Sequence, residues 1–447
     1  MNFPGDYFKG KKITVMGLGL LGRGVGDIKF LAEAGADLIV TDLKTQEVLQ
    51  ESLDILKDYK NIKYVLGEHC LEDFRHRDFI LKAAGVPLDS IYIAEAQKNW
   101  IPIKMSASWF AELAKGVKIV GITGTRGKST ATVLIYEILK RAGQKVFLGG
   151  NIRGVSTLAF LNEAKPGDVA VLELDSWQLQ GFGEAELSPQ VSVFTTFLDD
   201  HLNYYRSTSL TASRELYFGD KANIFKYQKK GDVCIFGEDL AGDSRFKIQG
   251  SGMRMAKKEM VPKDWRIQIP GEHNLLNIAC AIEATRVLGV APAIIREAIE
   301  EFRGVEGRLQ DLGSFNGVKI YNDNNATTPD ATVAALKALG KNVILICGGS
   351  DKGLDMTALV NKIPKHCKAV ILLPGSGSAK LQTINYQLST KTELVENLSQ
   401  ALGTALSLAT QSDIVLFSPA FASFGLFKNE YDRNDQFLEL VAELKNR

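Results

Sequence analysis

Cysteine is scarce in this sequence, and the few cysteines are not spaced as metal ligands. The 447 residues include five, which is an odd number, and no two of them form a Cys-x-x-Cys pair. They are Cys70, Cys234, Cys280, Cys347 and Cys367. We therefore expect neither a disulfide framework nor a structural zinc site.

Long apolar runs and an excess of one charge are also missing. Runs such as Val343–Cys347 have the length of a strand, far below the ~20 residues of a membrane-spanning helix. Residues 1–12 contain no apolar signal-peptide core. With 53 basic and 52 acidic residues the net charge is +1, so neither nucleic acid nor a membrane is an expected partner. We expect a cytoplasmic protein that acts as a monomer.

A short apolar strand, a glycine-rich turn and a helix follow one another three times along the chain. The strands are predicted at Lys12–Met16, Val117–Ile122 and Asn342–Cys347. Strands that alternate with helices predict α/β domains with parallel sheets, which bind ligands at the carboxyl ends of their strands. The repeats lie about a domain apart and predict three domains, residues 1–103, 104–307 and 308–447.

The second repeat contains a phosphate-binding loop. The run Gly121-Ile122-Thr123-Gly124-Thr125-Arg126-Gly127-Lys128-Ser129-Thr130 leaves a strand and opens a helix. Glycines let backbone N–H groups turn toward phosphate oxygens, and the helix N-terminus adds partial positive charge. Lys128 is predicted to reach the β- and γ-phosphates, and the Ser129 hydroxyl to bind Mg²⁺. Ile122 replaces the first glycine of the strict pattern, so the loop is a variant; a plain glycine turn beside a surface lysine is the alternative.

Acidic side chains follow two further predicted strands. Glu173 follows the strand at 168–172, and Asp199-Asp200-His201 follows the strand at 191–197. Oxygen ligands with one imidazole suit Mg²⁺ or Mn²⁺. Helix-capping aspartates and a structural histidine are the alternative. The neighbouring phosphate loop favours a metal site.

The loop from Gly124 to Thr130 resembles the GT[NKR]GKST loop of the Mur ligases, which add amino acids to the UDP-MurNAc peptide of peptidoglycan. The resemblance covers the whole chain. Three stretches resemble the members that add D-glutamate: Gly17–Gly19, Val171–Leu179 and Ser418–Phe424. The family implies an N-terminal Rossmann-like UDP-binding domain, a central P-loop ATPase domain with a mostly parallel sheet, and a C-terminal Rossmann-like domain that binds the amino acid.

The implied reaction is the ATP-dependent addition of D-glutamate to UDP-N-acetylmuramoyl-L-alanine through an acyl-phosphate, in peptidoglycan precursor synthesis. By resemblance the catalytic residues are Lys128, Glu173, His201 and Lys221. Two Mg²⁺ ions would be held by Ser129, Glu173, His201 and Lys221. Lys221 lies in a stretch that resembles the family's YxxAKxxIF and would be carbamylated; Lys226 is the competing candidate.

The resemblance also implies the residues that contact the substrates. ATP would be bound by Gly124, Thr125, Arg126, Gly127, Lys128, Ser129, Thr130, Asn277, Arg308 and Asp323. The UDP-sugar would be bound by Gly19, Leu20, Leu21, Gly22, Asp42, Leu43, Lys44 and Asn151. D-glutamate would be bound by Thr327, Lys352, Ser423 and Phe424. On the residues alone, the Gly17–Gly22 turn with Asp42 is typical of a dinucleotide-binding fold.

Several positions depart from the family pattern, and all of them lie in the third domain or at its edge. Gly307 replaces the histidine before Arg308, Asn325 replaces a lysine, Gly425 a carboxylate and Asn434 a glycine. The identity and chirality of the added amino acid therefore stay open. The alternatives are a Mur or folylpolyglutamate-type ligase with another amino acid or acceptor, a nucleotide-binding homologue with altered catalysis, and an NAD-dependent oxidoreductase. The last leaves the Lys128 loop unexplained.

Overall fold

A computed structural model describes residues 6–20, 22–200, 204–205, 207–246, 252–385 and 390–445. Within these ranges strands and helices alternate along the chain, which confirms the predicted α/β class. The strands are arranged in three sheets. No helix in the described ranges is long and apolar enough to cross a membrane.

The first sheet is parallel and has the order β3-β2-β1-β4-β5. Its strands are β1 (Lys12–Met16), β2 (Asp37–Asp42), β3 (Ile62–Leu66), β4 (Phe79–Lys82) and β5 (Ile103–Lys104). Its helices are α1 (Arg23–Glu33), α2 (Gln46–Leu56) and α3 (Ile91–Lys98). Helix α1 forms because Val25, Ile28 and Leu31 recur at helical spacing and are buried. Residues 17–20, the described first part of the predicted glycine-rich turn, directly follow β1, the central strand of this sheet.

The second sheet is also parallel and has the order β11-β10-β9-β6-β8-β7. Its strands are β6 (Lys118–Thr123), β7 (Val146–Gly150), β8 (Val169–Glu173), β9 (Val191–Phe194), β10 (Val233–Gly237) and β11 (Gly252–Ala256). The helices of this part are α4 (Ser106–Leu113), α5 (Lys128–Arg141), α6 (Ser176–Glu184), α7 (Leu210–Ala222), α8 (Glu272–Val287) and α9 (Pro292–Glu301). Strand β6 pairs with both β8 and β9, so the carboxyl ends of these three strands meet at one edge.

The third sheet has the order β12-β13-β17-β14-β15-β16, and β12 runs antiparallel to β13 while the other pairs are parallel. Its strands are β12 (Gln310–Phe315), β13 (Val318–Asn322), β14 (Val343–Gly348), β15 (Cys367–Leu373), β16 (Lys391–Leu394) and β17 (Ile414–Phe417). Its helices are α10 (Pro329–Leu339), α11 (Thr357–His366), α12 (Ser376–Asn385), α13 (Leu398–Leu408) and α14 (Glu430–Lys445).

The chain folds into two compact units. The first comprises Met1–Lys263 with Leu276–Ala298 and contains the first two sheets; the second comprises Asp264–Leu275 with Ile299–Arg447 and contains the third. The predicted boundary after residue 103 falls within β5, and the one after residue 307 falls just before β12. The division into three domains stays a proposal.

Candidate active site

The phosphate loop joins β6 to α5, and two of its glycines are required by close contacts. Gly124 (φ 140°) and Gly127 (φ 85°) adopt conformations that side chains disfavour. A Cβ at Gly124 would lie 2.1 Å from Thr195 Oγ1, and one at Gly127 would lie 2.1 Å from Asn277 Oδ1. The structure thus places Asn277, a predicted ATP contact, directly against the loop.

Residues after β9 hold the loop by hydrogen bonds. Thr125 N donates to Thr196 O at 2.7 Å, and Leu198 N donates to Thr125 Oγ1 at 2.9 Å. Arg126 Nη1 donates to Asp200 Oδ2 at 3.1 Å. The loop backbone is therefore fixed, and Asp200 pairs with the arginine that the loop presents.

Two lysine side chains converge on one loop carbonyl. Lys128 Nζ and Lys221 Nζ each donate to Gly124 O at 3.0 Å. Lys221 projects from α7, is 1% exposed, and also donates to Thr123 Oγ1 at 3.3 Å. Burial, and then the charge of Lys128, hold the pKa of Lys221 well below its usual value. Lys226, the competing candidate, is exposed.

Glu173 ends β8 and is buried at the same edge of the sheet. Asn151 follows β7, the neighbouring strand, and its Nδ2 donates to Glu173 Oε1 at 3.2 Å. Arg23, the first residue of α1, donates from Nη1 to Asn151 Oδ1. Arg23 was missed in the sequence, where the only signal was a cation directly after the Gly17–Gly22 turn.

The predicted metal ligands are placed only in part. Ser129 lies in the first turn of α5, beside Lys128, and Glu173 and Lys221 lie at the edge described above. His201 lies outside the described residues. Within the described part of the chain, no three His, Cys, Asp or Glu side chains are grouped as a metal site. The metal set stays a prediction.

Two of the predicted UDP-sugar residues, Gly19 and Lys44, contact the carboxylate of a third, Asp42. Asp42 ends β2; its Oδ2 accepts from Gly19 N at 3.0 Å and its Oδ1 from Lys44 N at 2.9 Å. The side chains of Leu20 and Leu43 are exposed nearby in the chain, and Leu21 is outside the described residues. Asp42 thus orders the turn that would bind the diphosphate.

A second carboxylate, missed in the sequence, ties α1 to the second sheet. Asp27 is buried, and its Oδ1 accepts from Ser106 Oγ at 2.7 Å and from Ser156 Oγ at 2.5 Å. Burial raises the pKa of Asp27 to about 6, against the lowering effect of these hydrogen bonds and of Arg23.

In the second unit, the predicted amino-acid residues follow three adjacent strands, β13, β17 and β14. Lys352 Nζ donates to Thr327 Oγ1 at 3.1 Å. Ser350 Oγ donates to Phe424 O at 2.6 Å, next to the buried Ser423. The structure therefore brings the four predicted positions together around hydroxyls and one ammonium group, which suits a carboxylate ligand.

The two predicted ATP contacts of this unit are also neighbours. Asp323 is buried; its Oδ1 accepts from Leu309 N at 3.0 Å and its Oδ2 from Ser418 Oγ at 2.9 Å. Burial raises the pKa of Asp323 to about 7, and the nearby charge of Arg308 lowers it. Arg308 itself is exposed.

Three of the departures from the family pattern touch one another. A Cβ at Gly307 (φ 69°) would lie 3.0 Å from Asn325 Nδ2 and 3.1 Å from Asn434 Oδ1. Asn434 Oδ1 also accepts from Asn322 Nδ2 at 2.9 Å. The substitutions therefore form one packed group, in which the missing side chain at 307 leaves space for two asparagines.

Comparison with known proteins matches both units. The model of the Mur ligase middle domain matches residues 122–251, and that of the Mur ligase, glutamate ligase domain matches residues 307–421. A UDP-N-acetylmuramoylalanine–D-glutamate ligase of Roseiflexus sp. (strain RS-1) is 35% identical, over 97% of this chain and 98% of the relative. The chain belongs to the Mur ligase family.

Other members of the Mur ligase family are similar over the same extent. The UDP-N-acetylmuramoylalanine–D-glutamate ligase of Bacillus subtilis (strain 168) is 33% identical, over 96% of this chain and 97% of the relative. Among solved structures, the MurC ligase of Thermotoga maritima has a TM-score of 0.64 at 21% identity, covering 97% of this chain and 99% of that one. The MurF ligase of T. maritima, in complex with ADP, has a TM-score of 0.58 at 19% identity, covering 92% and 96%. These structures share the fold.

Proposed function

We propose that the protein is an ATP-dependent ligase that joins D-glutamate to UDP-N-acetylmuramoyl-L-alanine in peptidoglycan precursor synthesis. The observation that carries the proposal is the phosphate loop with Lys128 and the buried Glu173 at one sheet edge. The full-length relatives that carry this activity in their names support the choice of substrates. In this proposal the protein works in the cytoplasm as a monomer.

The substrates occupy the sites predicted for them. The loop from Gly124 to Thr130 binds the ATP phosphates, with Asn277, Arg308 and Asp323 as the further nucleotide contacts. The Gly19–Gly22 turn binds the diphosphate of the UDP-sugar, Asp42 to Lys44 its uracil, and Asn151 its sugar side. Thr327, Lys352, Ser423 and Phe424 bind D-glutamate.

The reaction has two steps, with an acyl-phosphate between them. The alanyl carboxylate attacks the γ-phosphate of ATP and releases ADP, and Lys128 neutralises charge on the phosphoryl group. The amine of D-glutamate then attacks the acyl carbon, loses a proton, and phosphate leaves as the amide forms. The fixed loop backbone positions the phosphates throughout.

Two of the predicted donors, Ser129 and Glu173, lie within the described residues, and their oxygens suit Mg²⁺. Ser129, Glu173, His201 and carbamylated Lys221 would hold two ions, since hydroxyl and carboxylate oxygens are the ligands that Mg²⁺ prefers. Bound there, Mg²⁺ supplies positive charge against the phosphate oxygens. Within the described residues, Oε1 of the buried Glu173 accepts a hydrogen bond only from the uncharged amide of Asn151. A bound cation would therefore neutralise this buried carboxylate.

The surroundings of Lys221 support the proposal that it is carbamylated. Lys128 Nζ and Lys221 Nζ each lie 3.0 Å from one oxygen, so the charge of Lys128 adds to burial in lowering the pKa of Lys221 and favouring its neutral form. A neutral amine adds to CO₂, forming an N–C bond and releasing one proton, and yields a carbamate anion. That anion attracts the charge of Lys128 instead of opposing it.

Phosphate release tests the proposal. Purified protein with ATP, Mg²⁺ and UDP-N-acetylmuramoyl-L-alanine is expected to release phosphate only when D-glutamate is added. L-Glutamate, D-aspartate and L-aspartate form the rest of the panel, because Gly307, Asn325 and Asn434 depart from the family pattern and leave open a second candidate, a ligase for another amino acid. Release with another amino acid would support that candidate, and no release with any of them would refute the ligase.

A further inference from the structure

Helix α1 packs closely on residues 151–157, the segment that follows β7. Two glycines permit this approach. A Cβ at Gly22 would lie 3.1 Å from Gly154 Cα, and one at Gly26 would lie 2.7 Å from Ser156 Cβ. The buried carboxylate of Asp27 on α1 accepts from Ser156 Oγ within the same contact, and from Ser106 Oγ at the start of α4. A side chain on this face of α1 therefore has a defined position relative to the second sheet.

Arg23 lies on that face and contacts the amide of Asn151. Its guanidinium donates to Asn151 Oδ1, and Asn151 Nδ2 donates to Glu173 Oε1 at 3.2 Å. A guanidinium can only donate and a carboxylate can only accept, so the two neighbours together fix which way the amide points. The backbone adds a third constraint, because Asn151 N donates to Glu173 O at 2.7 Å.

We propose that Arg23 is a positioning residue: by fixing the Asn151 amide, it holds Glu173 and the sugar contact in their working positions. The proposal rests on the proposed function, in which Asn151 contacts the UDP-sugar and Glu173 binds Mg²⁺. Without Arg23 the amide keeps only one of its two charged partners and can rotate. Both ligands that depend on it then bind more weakly, whereas D-glutamate, bound by the second unit, is unaffected.

Binding measurements on the full chain test this role without turnover. R23M is expected to bind Mn²⁺, measured by electron paramagnetic resonance with a non-hydrolysable ATP analogue, about tenfold more weakly, as on loss of a hydrogen bond to a charged group. Titration calorimetry with UDP-N-acetylmuramoyl-L-alanine should show a similar loss. R23K, which keeps a donor, should lie between R23M and the wild type. K29M, which removes an exposed cation of the same helix, should match the wild type.

A double-mutant cycle separates positioning from a structural role. If Arg23 acts through Asn151, R23M/N151A will bind both ligands no worse than N151A alone. Additive losses, or wild-type affinities in R23M with only a lowered melting temperature, would overturn the proposal. If the wild type releases no phosphate with any amino acid while R23M still weakens Mn²⁺ binding through Asn151, the proposed reaction fails and the positioning role stands.

Discussion

Two buried lysines of the first unit show how neighbouring charges shift the pKa of an amine. Lys82, at the end of β4, donates to Val86 O at 2.8 Å, and burial lowers its pKa to about 8. The charges of Asp175 and Asp220 oppose that shift. At Lys221, which is also buried, the charge of Lys128 adds to the effect of burial, and these two causes outweigh the opposing charges of nearby carboxylates, Asp175 among them. This difference supports the proposal that Lys221, and not Lys82, reacts with CO₂.

Removing Lys221 should abolish activity, and removing CO₂ should do so reversibly. We expect K221A and K221R to lose at least about 100-fold in phosphate release, because neither can form the carbamate that completes the charged site. Wild-type activity should fall in CO₂-depleted buffer and return with bicarbonate. The measurement is the rate of phosphate release, together with the ¹³C carbamate resonance in labelled bicarbonate.

The matched control for this experiment is K226A, which removes the exposed lysine five positions further along the chain. It should retain both the activity and the carbamate resonance. Full activity of K221A in CO₂-depleted buffer, or an unchanged resonance in that variant, would show that the carbamate assignment is wrong.

At the scale of elements, one contact in the second unit joins two segments that flank strands to a helix. The segment before β12, the segment after β13 and helix α14 meet where Gly307, Asn325 and Asn434 touch. Asn325 N also donates to Gly307 O at 2.9 Å, and Asn434 Nδ2 donates to Glu306 Oε1 at 2.7 Å. Because these three departures from the family pattern pack together, we expect the effect of changing one of them to depend on the residues at the other two positions.

Gly307 should tolerate a side chain less well than a glycine of the same conformation in open space. In G307A the left-handed φ of 69° is expected to cost about 1–2 kcal/mol, and crowding by the two asparagines adds to it. G353A is the control, because Gly353 has φ 72° and no atom near its Cβ position. Urea unfolding should therefore show the larger loss for G307A, and N434G should recover part of it. Equal losses in the two alanine variants would contradict the crowding.

Much of this arrangement could be predicted from local sequence, and the rest depends on distant contacts. Apolar runs that end in glycine-rich turns mark three strands in the sequence. The strand at Lys12–Met16 is confirmed, and the other two begin and end one residue later than predicted. The strand predicted at 191–197 ends at Phe194, because the next residues bond to the phosphate loop. Arg23 and Asp27 were missed because their partners lie 128 and 129 positions away along the chain.

At the scale of the whole molecule, the first unit joins two sheets that each have a nucleotide-type turn. The contact between α1 and residues 151–157 is made by buried polar groups as well as by apolar packing. Asp27 is central to it, since one carboxylate oxygen accepts from serines of two different segments of the second sheet's part of the chain. The state of this carboxyl group should therefore affect the stability of the unit as a whole.

The pH dependence of unfolding should reveal Asp27. Its folded-state pKa of about 6 lies above the ordinary value of 3.8, so the folded state binds the proton more tightly and the contribution is lost as pH rises through about 6. Between pH 7 and pH 5 the wild type should gain roughly 1 kcal/mol in unfolding free energy relative to D27N, which has no proton to bind there. D58N, which removes an exposed carboxylate of the first sheet's part of the chain, should follow the wild type over this range. Urea unfolding at several pH values measures the difference, and a constant offset between D27N and the wild type would contradict a raised pKa.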